Sequence, residues 1–80
     1  MTNLEKLQEL MEDVLLLDDG EFSTELKRDD VGAWDSMATV AIGVGLEETF
    51  DQHPSEEEAI GLNSVADIIA FLSARGVAFD

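Results

Sequence analysis

Cysteine is absent from this chain of 80 residues, and histidine and proline each occur only once. Without cysteine there can be no disulfide framework, no thiolate metal site and no cysteine nucleophile. The single histidine, His53, cannot build a histidine metal cluster. Stability must therefore come from packing, and apolar residues make up 45% of the chain, an ordinary share for a globular protein.

Basic residues are also scarce. Four lysines and arginines face 19 aspartates and glutamates, which gives a formal net charge of −15 at pH 7. A surface of this sign repels phosphate backbones and anionic membranes, so we expect neither nucleic-acid binding nor membrane insertion. The same charge favours encounters with proteins that present basic patches.

No apolar run approaches the roughly 20 residues of a membrane span. The opening sequence, MTNLEKLQEL, has no basic stretch followed by an apolar block, so it does not resemble a secretory signal. We therefore expect a cytoplasmic protein and a monomer. Because a chain of this length has room for one hydrophobic core, residues 1–80 are expected to form a single domain.

Hydrophobic periodicity predicts a first helix near the start of the chain. Thr2 and Glu5 have the spacing of a capping box, and Asp18, Asp19 and Gly20 end the pattern. Apolar residues recur at helical spacing between these signals: Leu4, Leu7, Leu10, Met11, Val14 and Leu15. Residues 18–35 carry turn formers and no sustained period, which predicts a long loop. Its expected anchors are Phe22, Leu26, Val31 and Trp34.

A second helix is predicted from about Ser36 to Phe50, with Asp35 or Ser36 as its N-cap. Its apolar surface is broad rather than a single stripe, which indicates packing on one side and an apolar face for a partner on the other. Gly43 and Gly45 weaken the helix unless they mark the close approach of another element.

Two further helices are predicted after Pro54. A short one should begin after Ser55 and stop at Gly61, and a last one should be capped by Asn63 or Ser64. Gly76 suits the C-terminal end of the last helix. The sequence thus predicts an all-α fold: a small four-helix bundle with three main helices, one short helix, and a long loop between helices one and two.

The sequence favours neither a catalytic site nor a specific metal site. Ser36 lacks the flanking glycines of the Gly-x-Ser-x-Gly elbow, and nothing places His53 within reach as a base, so we do not expect an enzyme. An EF-hand loop counted from Asp18 needs glycine sixth and glutamate twelfth, whereas here glycine falls third and Asp29 twelfth. We therefore predict no specific metal site and interpret His53 as a polar loop residue.

The stretch DDVGAWDSMATV places Ser36 where the long loop meets the second helix. A serine at a helix start is commonly a cap, which is the simpler interpretation. However, the amides of a first helical turn also favour an anion attached there. Ser36 is therefore either a cap or an acceptor that another enzyme modifies.

In this region the chain resembles an acyl carrier protein. The family pattern is an acidic four-helix domain with Asp-Ser-Leu or Asp-Ser-Met at the start of the second helix, and here the triplet is Asp35, Ser36 and Met37. The resemblance covers nearly the whole chain. It extends through LEETFD at 46–51, the SEEEA that follows Pro54, and the opening of LNSVADIIAFL.

The resemblance implies that Ser36, within the attachment motif begun by Asp35, receives 4′-phosphopantetheine from coenzyme A through a phosphopantetheinyl transferase. The arm would carry an acyl or aminoacyl group as a thioester for loading synthetases, acyltransferases and condensing enzymes of fatty acid or polyketide biosynthesis. The same resemblance assigns a docking role to Met37, Val40, Val44, Glu47 and Glu48. The alternative for the two valines is an ordinary core position, and for the two glutamates a solvated face.

Several departures favour a specialised carrier over the housekeeping fatty-acid type. Ala38 and Ala41 stand where that type usually has acids, and Trp34 stands where a smaller residue is common. The stretch DSMATV also resembles the Asp-Ser-Met-Gly-Thr-Val of D-alanyl carrier proteins. An aminoacyl carrier, or an unmodified acidic domain that docks on basic proteins, therefore remains an alternative.

Overall fold

The computed structural model describes residues 2–18 and 20–79. It contains four α-helices: α1 (Asn3–Leu15), α2 (Ser36–Phe50), α3 (Glu56–Ile60) and α4 (Val65–Ala74). A short 3₁₀ turn, Arg28–Asp30, lies in the long loop between α1 and α2, and no β-strand occurs among the described residues. The prediction of an all-α bundle with three main helices and one short helix is confirmed.

The predicted caps explain where the helices begin. Thr2 and Glu5 form a reciprocal capping box on α1, since the Thr2 hydroxyl accepts from the Glu5 amide and the Glu5 carboxylate accepts from the Thr2 amide. Ser55 and Glu58 form a second capping box on α3. Each pair satisfies two amides that a helix start leaves without an internal partner.

The end of α1 differs from the prediction. The helix stops at Leu15, before Asp18, because Leu16 turns into the left-handed region with φ 56° and its amide donates to the Glu12 carbonyl. The predicted stop also included Asp19, which lies outside the described residues. Leucine is an unfavourable residue for this conformation, so the sequence carries no signal for an end at this position.

The core lies between α1, α2 and α4 and contains only apolar side chains. Its buried members are Leu7, Met11, Leu15, Trp34, Ala38, Ile42, Leu46, Leu62, Val65, Ile68 and Leu72. No polar or charged residue is buried in the described part of the chain. The ionisable groups there consequently remain in contact with water, where an isolated charge costs little.

The long loop is fastened to the connection between α3 and α4. The Leu26 carbonyl accepts from the Val65 amide at 2.9 Å, and the Arg28 amide donates to the Asn63 carbonyl at 2.8 Å. Trp34 is buried, with 2% of its surface exposed. The predicted anchors Phe22, Leu26 and Val31 are half-buried against the core. The chain therefore enters α2 from a fixed direction.

Gly45 allows α1 and α2 to approach closely. It is buried on α2, and a Cβ atom built there would overlap the side chain of Leu10 on α1. Gly43 is different, because a Cβ atom there would meet Pro54 Cγ at an ordinary 3.7 Å. The close approach anticipated for the two glycines is therefore required at Gly45 only.

This difference predicts opposite effects for two matched substitutions. Gly43→Ala should stabilise the protein by about 0.5–1 kcal/mol, because alanine loses less backbone entropy in a helix interior. Gly45→Ala should destabilise it by about 1–3 kcal/mol, since the new methyl group crowds Leu10. Urea unfolding at fixed ionic strength measures both. Equal stabilisation by the two alanines would contradict the close helix contact.

Candidate functional site

Ser36 is the first residue of α2, and its side chain is exposed. Asp35 is the N-cap, since its Oδ1 accepts from the Ala38 amide at 3.0 Å. The Thr39 hydroxyl donates to the Asp35 carbonyl at 3.1 Å. Of the two caps considered from the sequence, Asp35 therefore fills the role, and the Ser36 hydroxyl is left available for other chemistry.

The start of α2 has an electrostatic preference for an anion. The first amides of a helix have no internal acceptor, and Asp35 satisfies the amide of Ala38. The amides of Ser36 and Met37 precede it in the same first turn. Together with the helix dipole they provide a partly positive surface, which suits a phosphate group bonded at the first helical position.

A groove of about 610 Å³ lies between α2 and α3, and Ser36 is one of its lining residues. Its apolar wall consists of Val40, Val44, Pro54, Ala59 and Ile60. This volume lies within the usual range of small-molecule sites, about 300–1,000 Å³. The serine hydroxyl thus stands beside an apolar surface large enough for an aliphatic chain.

The apolar residues assigned to docking lie on the surface. Met37 is 81% exposed, Val40 67% and Val44 51%. Ala38 and Ile42 occupy the buried side of the same helix. The alternative of a core position is therefore wrong for both valines.

Two of the departures from the fatty-acid pattern have a structural explanation. Ala38 is 6% exposed and Trp34 2%, so both belong to the core and present no surface to a partner. The Trp34 indole N–H has no hydrogen-bond partner among the described residues, so the side chain acts there by packing. Ala41 is exposed, so the surface there carries an alanine where the fatty-acid type usually has an acid.

Glu47 and Glu48 are exposed toward the end of α2, but they are not equivalent. Glu47 Oε2 lies 2.8 Å from His53 Nδ1, and His53 also lines the groove. Sequence reasoning interpreted His53 only as a loop residue and missed this pair. The end of α2 at Phe50 lies between the two residues, and their separation of six positions is not a helical spacing, so no motif links them.

Arg28 is a second lining residue of the groove that sequence reasoning missed. Its Nε donates to the Trp34 carbonyl at 3.1 Å, and its Nη1 lies 3.4 Å from Asn63 Oδ1. The sequence signal that could have drawn attention to Arg28 is the scarcity of basic residues, since only four residues of the chain are lysine or arginine.

An ion pair joins α3 to the C-terminal end of α4. Arg75 Nη2 contacts both carboxylate oxygens of Glu58, at 2.9 and 3.1 Å, and its guanidinium lies 4.4 Å from the centre of the Phe71 ring. The backbone hydrogen bond from Ser55, followed by the bond from Arg75, lowers the pKa of Glu58 below its ordinary value of 4.5. The charged form of Glu58 therefore fastens the short helix α3 to α4.

Neither a metal centre nor a membrane span is evident in the described residues. No group of three or more acids and histidines among them is arranged to hold a metal ion. None of their helices has the length and apolar character needed to cross a bilayer.

Comparisons with known proteins agree with this arrangement. The chain is 33% identical over 73 residues to an acyl carrier protein of Prochlorococcus marinus, covering 90% of each chain. It is 36% identical over 69 residues to one of Akkermansia muciniphila, covering 85% of each. An acyl carrier protein of Clostridium acetobutylicum is 37% identical over 72 residues, which is 89% of this chain and 92% of the relative. No profile of a known protein family matches the chain.

The described residues form an acidic four-helix domain with an exposed serine at the start of its second helix. With relatives of this identity over nearly its full length, the chain belongs to the acyl carrier protein family. Proteins of this family act as carriers, and their prosthetic group is covalently attached 4′-phosphopantetheine.

The Glu58 contacts predict a pH-dependent stability difference. A carboxyl group with a lowered pKa in the folded state stabilises the fold above its ordinary value of 4.5, and this contribution is lost as the pH falls through the folded pKa. Glu58→Gln should therefore melt below the wild type at pH 7, and the gap should close below pH 4.5.

Glu57→Gln is the matched control, since it removes the same charge from an exposed neighbour on α3. The melting temperatures of dilute wild type, Glu58→Gln and Glu57→Gln are measured at several pH values from neutral to acidic. A Glu58→Gln gap that stays constant through this range, or that Glu57→Gln reproduces, would show that the ionised Glu58 contacts do not stabilise α3.

Proposed function

We propose that this protein is a free-standing carrier that holds an acyl group as a thioester on a 4′-phosphopantetheine arm attached to Ser36. In this role it shuttles the group between biosynthetic enzymes. The observation that carries the proposal is the exposed Ser36 hydroxyl at the start of α2, beside the apolar groove. Family membership supports a carrier role in general.

The attachment step requires a transferase, because this chain supplies no base to Ser36 among the contacts described. The Ser36 oxygen attacks the phosphorus of coenzyme A that bears the pantetheine. A new P–O bond forms to serine, the P–O–P bond breaks, and adenosine 3′,5′-bisphosphate leaves. The serine proton passes to a base of the transferase. Once attached, the group supplies a thiol that forms a thioester with the cargo.

The residues around Ser36 fit this product. Asp35 caps the helix through its own carboxylate and so holds Ser36 at the first helical position without using its hydroxyl. The first-turn amides of α2 stabilise a phosphodiester there. Val40, Val44 and Ile60 provide an apolar wall for the aliphatic part of the arm or its cargo.

The outer face of α2 is the proposed docking surface for basic partners. It consists of Met37, Val40, Val44, Glu47 and Glu48, all of which are exposed. Apolar side chains there contribute buried area on contact, and the acids steer partners that carry basic patches. We include the phosphopantetheinyl transferase, the loading synthetase, and acyltransferase or condensing enzymes among these partners. The proposed state is a cytoplasmic monomer with one carrier domain, residues 1–80.

An aminoacyl cargo is the second candidate, because DSMATV at 35–40 is similar to the corresponding stretch of D-alanyl carrier proteins. The exposed Ala41 is a further departure from the fatty-acid type, which usually has an acid at that position. An unmodified acidic docking domain is the third alternative. It requires no reaction at Ser36, which makes modification the decisive property.

Incubation with coenzyme A and a promiscuous phosphopantetheinyl transferase should add one 4′-phosphopantetheine per chain. Intact mass spectrometry measures the product, and Ser36→Ala should abolish it because the attacking oxygen is gone. Ser73→Ala is the matched control, since it removes another exposed helical serine. Failure of the wild type with a transferase that modifies a known carrier would overturn the proposal.

Charge reversal on the docking surface should slow this modification. Glu47→Lys combined with Glu48→Lys should reduce the initial rate about tenfold at low ionic strength, and less at high salt, because screening weakens electrostatic steering. The single variants should separate the two acids, since His53 already contacts Glu47.

Glu9→Lys combined with Asp13→Lys provides the control for net charge. Both residues are exposed on α1, and the pair changes the formal charge by the same amount. If the α1 pair slowed the transferase as much as the α2 pair, the effect would be one of overall charge, and the assignment of Glu47 and Glu48 to docking would be wrong.

A further inference from the structure

Arg28 is an unusual residue in a chain with a formal charge of −15. It lies half-buried in the 3₁₀ turn of the long loop, and it lines the same groove as Ser36. In the part of the chain that the structure describes, its guanidinium forms no ion pair with a carboxylate. Although the chain is rich in carboxylates, the acceptors that hold Arg28 are neutral oxygens.

The hydrogen bonds of Arg28 fix its position but do not use all of its donors. Nε donates to the Trp34 carbonyl, two residues before Ser36, and Nη1 reaches Asn63 Oδ1 at the start of the α4 connection. A guanidinium has five N–H donors, so these two bonds leave three without a partner among the described residues. The charge therefore lies at the groove that Ser36 also lines, with donors still available.

We propose that Arg28 is the counter-ion of the phosphodiester on Ser36, a proposal that rests on Ser36 being the attachment residue. The planar guanidinium matches two phosphate oxygens in a way that lysine does not. Attachment of the arm adds one negative charge next to Asp35, in a protein whose acidic side chains already repel one another. Arg28 offsets this charge and holds the first atoms of the arm at the groove.

Lys27 provides a natural comparison. It is the neighbouring basic residue and is exposed. It lines a second depression, which Arg28 also borders, together with Asp29, Asn63 and Asp67, but it is not among the lining residues of the groove at Ser36. Lys27→Gln and Arg28→Gln therefore change the net charge equally at adjacent positions. Only Arg28→Gln should affect the phosphodiester.

The competing explanation is that Arg28 only ties the loop to Asn63. A purely structural role would lower the stability of the unmodified and modified proteins equally, so the difference between the two forms separates the explanations. Asn63→Ala removes the α4-side acceptor of Arg28 and leaves its charge in place. This variant should therefore lower both melting temperatures together.

The experiment prepares the unmodified and pantetheinylated forms of wild type, Arg28→Gln, Arg28→Lys, Lys27→Gln and Asn63→Ala, each verified by intact mass. Attachment should lower the melting temperature of Arg28→Gln by about 3 °C more than that of wild type or Lys27→Gln, at low salt. Arg28→Lys should fall between them. The phosphorus-31 resonance of the modified protein should also shift in Arg28→Gln and remain at the wild-type position in Lys27→Gln.

Two outcomes would overturn the proposal: an equal effect of attachment in Arg28→Gln and Lys27→Gln, or a phosphorus resonance that the loss of Arg28 leaves in place. If Arg28→Gln does not fold, Arg28→Lys carries the same comparison, since it keeps a charge and loses the planar fork. A wrong assignment of Ser36 as the attachment residue would give a different result from a wrong assignment of Arg28. In that case the wild type would gain no mass, or Ser36→Ala would still gain it.

Discussion

The hydrogen bond from the Ala38 amide to the Asp35 carboxylate is the contact on which the site depends. It determines that α2 begins at Ser36 and that the serine side chain is not consumed as the cap. Loss of such a cap costs about 0.5–2 kcal/mol, a large share of the stability of a small domain. The same carboxylate lies beside the proposed phosphate, and its acceptance of a helix amide reduces the repulsion that an unpaired aspartate would exert there.

The direction in which the chain enters α2 depends on the loop, and the loop depends on α4. Trp34 is buried immediately before Asp35, and Leu26 and Arg28 form backbone hydrogen bonds to Val65 and Asn63. These contacts hold the part of the long loop that leads into α2, residues 26–35, in one position, although its sequence has no regular periodicity. The position of Ser36 is consequently determined by the long loop and by the start of α4, although the proposed attachment motif itself is local.

Much of the fold could be predicted because it follows from local signals. Thr2, Ser55 and Ser64 cap the helices expected from them, and α2 has the predicted bounds, Ser36–Phe50. The buried face of α2 could not be derived from periodicity, because apolar residues surround most of the helix. Exposure of Val40 and Val44 was anticipated only through the family resemblance. The His53–Glu47 contact spans six positions across the end of α2, and Arg28 reaches the groove at Ser36 from an irregular loop, so helical periodicity predicts neither.

The distribution of charge and apolar surface is compatible with the two roles proposed for α2, docking of a partner and contact with a cargo. With no charge buried in the described core, the acids must remain at the surface, where they repel one another and attract basic proteins. The groove interrupts this surface with an apolar wall beside Ser36. In the proposed function, a basic partner attracted by Glu47 and Glu48 contacts the same helix whose first residue is Ser36. An aliphatic chain held in the groove would gain apolar contact without requiring any charged side chain to leave water, so the proposed contact with a cargo and the proposed attraction of a partner do not oppose each other.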